Sequence, residues 1–134
     1  MPAQGGKAVQ VTKSGGKSGL ESTDGKFLYY AKGPEPLSIW KVPVDGGPET
    51  QIIRSLASNL DFAVVDRGIY FIPAPSVRSF SIQFFSFGTG KISSVAITEK
   101  RALFGLTISP DGLWVLYTQH DQYANELMLV ENFQ

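Results

Sequence analysis

An all-β fold built on a repeated hairpin is what this sequence of 134 residues predicts. Three observations carry that expectation. The stretch Ile108-Ser109-Pro110-Asp111-Gly112-Leu113-Trp114-Val115-Leu116-Tyr117 reads as strand, tight turn, strand: Pro pre-sets φ, Gly supplies the positive φ of the reversal, and an alternating aromatic and β-branched run follows. Weaker copies stand at 22–30 and 65–72, so the turn glycines Gly25, Gly68 and Gly112 are 43 and 44 residues apart. No stretch sustains a helical period, because Pro or Gly interrupts every long candidate.

Taken in order, Pro2-Ala3-Gln4-Gly5-Gly6 resembles Pro43-Val44-Asp45-Gly46-Gly47, so the chain begins at a turn inside a repeat. A short strand is expected over 9–12, then a flexible Gly/Ser loop over 13–19. That loop lacks the spacing of a phosphate-binding loop and has no helix after it. The first repeat gives strands over about 20–23, 26–31, 38–44 and 50–53; the second over about 60–65, 69–73, 80–87 and 92–97. The third gives about 103–108, 113–118 and 126–131. Pro and Gly clusters separate them. Aligned positions keep their chemistry: Phe27, Tyr70 and Trp114; Leu28, Phe71 and Val115; Ile39, Ile82 and Leu127; Val42, Phe85 and Val130.

Four short strands per repeat of this length is the pattern of a β-propeller blade. A β-sandwich is the alternative, but it needs no internal register. The "S-P-D-G-x-W-x-x-Y" at 109–117, "S-x-D-G-K-F-L-Y-Y" at 22–30 and "I-W-K-V-P-V-D-G-G" at 39–47 resemble the WD40-like repeats of TolB-type propellers, and similar blades occur in prolyl oligopeptidase relatives. The resemblance covers nearly the whole chain and implies the C-terminal part of a longer bacterial propeller protein. It implies no particular activity. Repeat two departs from the pattern, with Asp66-Arg67-Gly68 at its turn and Pro73 in its second strand.

The expected architecture is one domain of three four-stranded blades, over about 13–53, 54–97 and 98–134. Three wedge-shaped blades do not easily close a ring, and the third lacks its outer strand. Strand 9–12 would supply it from a partner chain, making a six-bladed ring by homodimerisation. The open radial faces would then be lined by Phe27, Tyr70, Trp114 or their neighbours. A truncated or inert piece of a larger bacterial regulator is the competing reading.

Lys and Arg total 12 and balance 12 Asp and Glu, so nothing demands nucleic acid or an anionic membrane as partner. The absence of cysteine excludes disulfides and thiolate chemistry. No run reaches transmembrane length and the start lacks a signal-peptide core, so a cytoplasmic location is the default, with the periplasm not excluded.

Candidate chemistry is sparse, and the reading leans away from an enzyme with no cofactor expected. His120, the single histidine, stands beside Asp121, and one histidine cannot build a multi-histidine site. No nucleophile elbow is present. Asp24, Asp66 and Asp111 read as turn formers. The dense Phe80, Phe84, Phe85 and Phe87 read as core, with Ile82 and Phe84 on one face and Phe85 and Phe87 on the other. One set of loops is modestly basic, and the candidates for a ligand face are Lys13, Lys17, Arg54, Arg78, Arg101, His120, Asp121 and Tyr123. The leading expectation is a non-enzymatic module binding a protein or peptide through a loop face or central channel. A metal-dependent hydrolase such as a lactonase is the alternative, and Glu21, Asn59 and Asp61 would be its ligands.

Overall fold

The computed structural model describes residues 16–34, 36–58, 61–74, 81–97, 102–109, 111–120 and 125–131. They form eleven strands: β1 (Lys17–Glu21), β2 (Phe27–Lys32), β3 (Leu37–Pro43), β4 (Thr50–Leu56), β5 (Phe62–Val65), β6 (Gly68–Phe71), β7 (Ser81–Ser86), β8 (Ile92–Ile97), β9 (Ala102–Ile108), β10 (Trp114–His120) and β11 (Asn125–Glu131). Every pairing is antiparallel, and each strand pairs with its neighbour in sequence. Sheet I is β1 to β4, sheet II is β5 to β8, and sheet III is β9, β10 and β11. The expected strand 9–12 lies outside the described residues.

Several boundaries differ from expectation, β4 running on to Leu56 among them, and two of the differences touch candidate residues. Half of the supposed Gly/Ser loop is strand, because β1 already begins at Lys17. Its glycines are there for close approach: a Cβ on Gly19 would stand 3.2 Å from Leu28, and one on Gly16 would stand 2.8 Å from the Tyr30 ring. At the other end, β10 runs on to His120, which pairs with Asn125 rather than sitting in a loop.

The first and third hairpin turns are near copies. Ser22 Oγ donates to Asp24 Oδ1 (2.6 Å), Lys26 N–H donates to the same oxygen (3.0 Å), and Phe27 N–H donates back to Ser22 Oγ (3.0 Å). Ser109, Asp111, Leu113 and Trp114 repeat the arrangement at 2.5, 3.0 and 3.0 Å. Gly25 and Gly112 take φ of 73° and 74°, as the sequence demands. In sheet II, Val65 replaces the serine and the turn changes kind: Val65 pairs directly with Gly68, leaving Asp66 and Arg67 as the loop. Gly68 lies outside the left-handed region and is glycine for another reason. A Cβ there would stand 1.9 Å from the Phe85 carbonyl oxygen.

Alternation along the strands divides each sheet into a forward face, toward the next sheet, and a backward face. Tyr29, Ala31 and Ile39 on sheet I meet Ile69 and Phe71 on sheet II, with Phe27 and Phe85 packed beside them. Tyr70 and Ile82 on the forward face of sheet II meet Leu106, Val115 and Tyr117 of sheet III, with Phe84 alongside. The phenylalanines of β7 therefore serve two cores, as their alternation predicts. Phe27 and Tyr70 do not line open radial faces. Their aligned positions point forward, so Phe27 and Tyr70 are each covered by the following sheet, and of the three only Trp114, on sheet III, has no described sheet in front of it.

The two outer faces are unlike. On the backward face of sheet I, Tyr30 is 1% and Val42 0% exposed. There the Lys32 ammonium pairs with Glu49 at 2.7 Å and lies 4.5 Å from the Trp40 ring centre. Burial, reinforced by Glu49, pushes the Tyr30 hydroxyl well above its usual range. The forward face of sheet III carries Leu116 opposite Leu129, and Leu129 is 56% exposed.

The two Ser/Asp turns set a pH dependence. A serine hydroxyl first, then a backbone N–H, hold Asp24 and Asp111 below the ordinary carboxyl value of 3.8. A depressed folded-state pKa gives a contribution present above the unfolded value and lost as pH falls through the folded one. The turns should therefore weaken only in strong acid, below about pH 3.8. In an NMR titration, both carboxyls should titrate below the ordinary carboxyl value, and Ser22→Ala should raise that of Asp24 alone.

Candidate functional site

Among the described residues the inner strands β1, β5 and β9 each pair on one side only, and β5 approaches both β1 and β9. What ties β5 to β9 is a buried side chain. Asp61, immediately before β5, is 0% exposed. Its Oδ1 accepts from Gly105 N–H in β9 (2.7 Å) and its Oδ2 from Ser58 Oγ (2.8 Å). Its main chain is held as well: Asp61 N–H donates to Ser58 (3.1 Å), and its carbonyl accepts from Ile72 N–H (2.9 Å). Gly105 lies where the β9–β10 register slips, between the partners of Tyr117 and Gln119. Gly105 itself takes φ of 156°. Ser18, Asp61 and Gly105 are aligned positions of the 43- and 44-residue register. The bond thus runs from one repeat to the same place in the next.

Pinned at that end, the inner strands open at the hairpin end into a wedge of about 960 Å³, whose lining includes Ser18, Leu20, Val64, Arg67, Thr107 and Asp111. Arg67 is anchored there, donating to Tyr70 Oη at 3.1 Å with its guanidinium 5.7 Å from the Phe84 ring centre. Burial pushes the Tyr70 hydroxyl up, and Arg67 pulls against it. A smaller cleft of about 320 Å³ lies between sheets I and II at the same end, with Phe27, Tyr29, Phe85 and Phe87 on its walls and Asp24 and Asp66 on its rim.

Of the expected ligand-face residues, Lys13, Arg78, Arg101, Asp121 and Tyr123 lie outside the described residues, as does Asn59 of the alternative metal set. Lys17 opens β1, His120 closes β10 and Arg54 is exposed near the end of β4, all at the pinned end. The turn aspartates Asp24, Asp66 and Asp111 stand at the other. Glu21 is exposed at the hairpin end of β1, whereas Asp61 is buried at the pinned end. In the repeat register Glu21 aligns with Val64, three residues beyond Asp61, so about 10 Å of strand separates the two levels. Among the described residues no three His, Cys, Asp or Glu side chains converge to hold a metal ion. Sequence reasoning missed the bond between Asp61 and Gly105. The register was the available signal, since it sets one opposite the other.

Nested antiparallel sheets, joined in sequence and packed face to face around a set of inner strands, define a β-propeller fold. In particular, the fold is similar to part of the TolB fold. The chain superposes on TolB from Acinetobacter baumannii with a TM-score of 0.69 and 14% identity, over 90% of this chain and 31% of that one. It matches a structure described as putative TolB from Agrobacterium tumefaciens at 0.67 and 19% identity, over 83% of this chain and 40% of that one. The chain thus spans well under half the length of the TolB structures it resembles. No protein-family model matches the sequence, and no curated protein does.

Removing the Asp61 carboxyl takes one acceptor from the Gly105 amide and another from the buried Ser58 hydroxyl. Asp61→Ala should lower stability by about 3 kcal/mol or more in urea unfolding, while Asp61→Asn, which keeps one acceptor oxygen, should lose less. Equal losses would show that Gly105 does not depend on that oxygen.

Proposed function

We propose that this chain is a non-enzymatic interaction module of TolB-like propeller fold, its three sheets serving as blades, and that it receives an extended protein segment at the hairpin end of the inner strands. The wedge between β1, β5 and β9 carries this reading. It is large enough for several residues of peptide, its walls mix apolar Leu20 and Val64 with polar Thr107 and Arg67, and the unpaired strand edges offer main-chain hydrogen bonds. Function of this kind sits in loops on a rigid scaffold. The cytoplasmic default gains no support from the fold. Among the described residues no helix is long and apolar enough to cross a membrane.

Peptides selected from a random phage-displayed library test the reading. They should slow amide exchange in β5 and β9 and lose about tenfold or more in affinity to Thr107→Arg, which fills the wedge from an exposed position. Selected peptides indifferent to Thr107→Arg would refute it.

A second reading concerns assembly. The forward face of sheet III, with Leu129 exposed, and the outer edge of β11, unpaired among the described residues, favour homodimerisation through that sheet. Ring completion by the backward face of sheet I would require whatever covers Tyr30 and Val42 to give way. The protein should scatter light as twice its protomer mass, and Leu129→Glu should return it to the protomer. A wild-type monomer at micromolar concentration rejects this.

A further inference from the structure

The wedge is not the only cavity at the hairpin end. The repeat register matches the two inter-sheet clefts residue by residue. Phe27 of the first corresponds to Tyr70 of the second, Lys41 to Phe84, Ile52 to Val95, and Asp24 to Arg67. In the second cleft the aromatic pair is closed, with Tyr70 and Phe84 ring centres 4.6 Å apart, and Arg67 caps it. In the first cleft an aspartate stands where that arginine would be, and the cavity of about 320 Å³ remains open.

We propose that this cleft between sheets I and II binds an arginine side chain presented by a partner protein. The molecule supplies the precedent, since Arg67 occupies the aligned place in the neighbouring cleft by stacking its guanidinium near a ring and donating to a hydroxyl. The walls of the first cleft suit the same group. Phe87 is 38% exposed, stacked on Tyr29 at 5.5 Å and edge-on to Phe85 at 6.1 Å, so a ring face is held rigidly at the opening. Asp24 and Asp66 stand beside it. Asp24 stays ionised, because the serine and backbone donors favour its charged form. Only Lys41 opposes them from within the cleft, its ammonium 4.7 Å from the Phe27 ring centre, and Lys26 lies next to Asp24 outside. The cleft therefore keeps one net negative charge over an aromatic floor. A planar guanidinium can satisfy two carboxylates and a ring face together, which an ammonium does poorly.

The probe is N-acetyl-L-arginine amide, titrated into the full chain and followed by amide shifts, with the lysine and citrulline amides as comparisons. Shifts should gather at 22–27 and 85–87. Arginine should bind about tenfold or more tightly than citrulline, which has the shape without the charge, and more tightly than lysine. The double variant Asp24→Asn with Asp66→Asn keeps the turn's acceptor oxygen and should weaken binding about tenfold. Lys41→Gln should strengthen it, an opposite sign that a merely structural role cannot produce. Asp111→Asn, in the copy of the turn on sheet III, and Thr107→Arg, in the wedge, should change nothing. The site is thereby tested apart from the channel reading. Equal binding of the three amides, shifts centred on Arg67 and Thr107, or no shift at about 100 mM would each overturn the proposal.

Discussion

One hydrogen bond fastens sheet II to sheet III: the 2.7 Å contact from Gly105 N–H to the Asp61 carboxyl. Sheets packed face to face through side chains alone can slide, because apolar contact is not directional. A buried carboxyl that accepts from the main chain of the next sheet fixes the inner strands at one point and in one register. Several other features follow from that pin. The β9 register slips at Gly105, Gly105 occupies a backbone region unfavourable to side chains, and the inner strands stand apart at the hairpin end. The opening at the hairpin end is the geometric complement of closure at the other.

Much of this was legible in the chain because the repeat is. The turn glycines fixed the positions of three hairpins, and alternation assigned Ile82, Phe84, Phe85 and Phe87 to their faces. The misreadings share a cause. Alignment says that two residues are equivalent, not why. Gly68 aligns with Gly25 and Gly112, yet it is required by the carbonyl of Phe85 rather than by a positive φ. Phe27, Tyr70 and Trp114 are equivalent, and that very equivalence hides two of them, since only the last repeat lacks a following sheet. Composition likewise suggested loop where Gly16 and Gly19 allow a strand to press against Tyr30 and Leu28.

The clefts were less legible because they arise from differences between repeats. Arg67 for Asp24, and Phe84 for Lys41, are unremarkable substitutions along the chain. In space they turn one cleft into a filled aromatic stack and leave its neighbour open and acidic. Such a site has no motif. It becomes visible only when two copies of the same architecture are laid side by side and one is seen to supply from within what the other lacks.

The Ser/Asp turns also bear on the order in which the molecule assembles. All these bonds join residues no more than five apart, and those to the two aspartates are exposed. Closing so short a loop costs little chain entropy and needs nothing from the rest of the protein. The hairpins of sheets I and III can thus nucleate alone, within microseconds by the ordinary rate of such events. The hairpin of sheet II has Val65 in place of that serine, and its Gly68 lies against the main chain of β7. Short-range closure thus favours the two flanking hairpins over the central one.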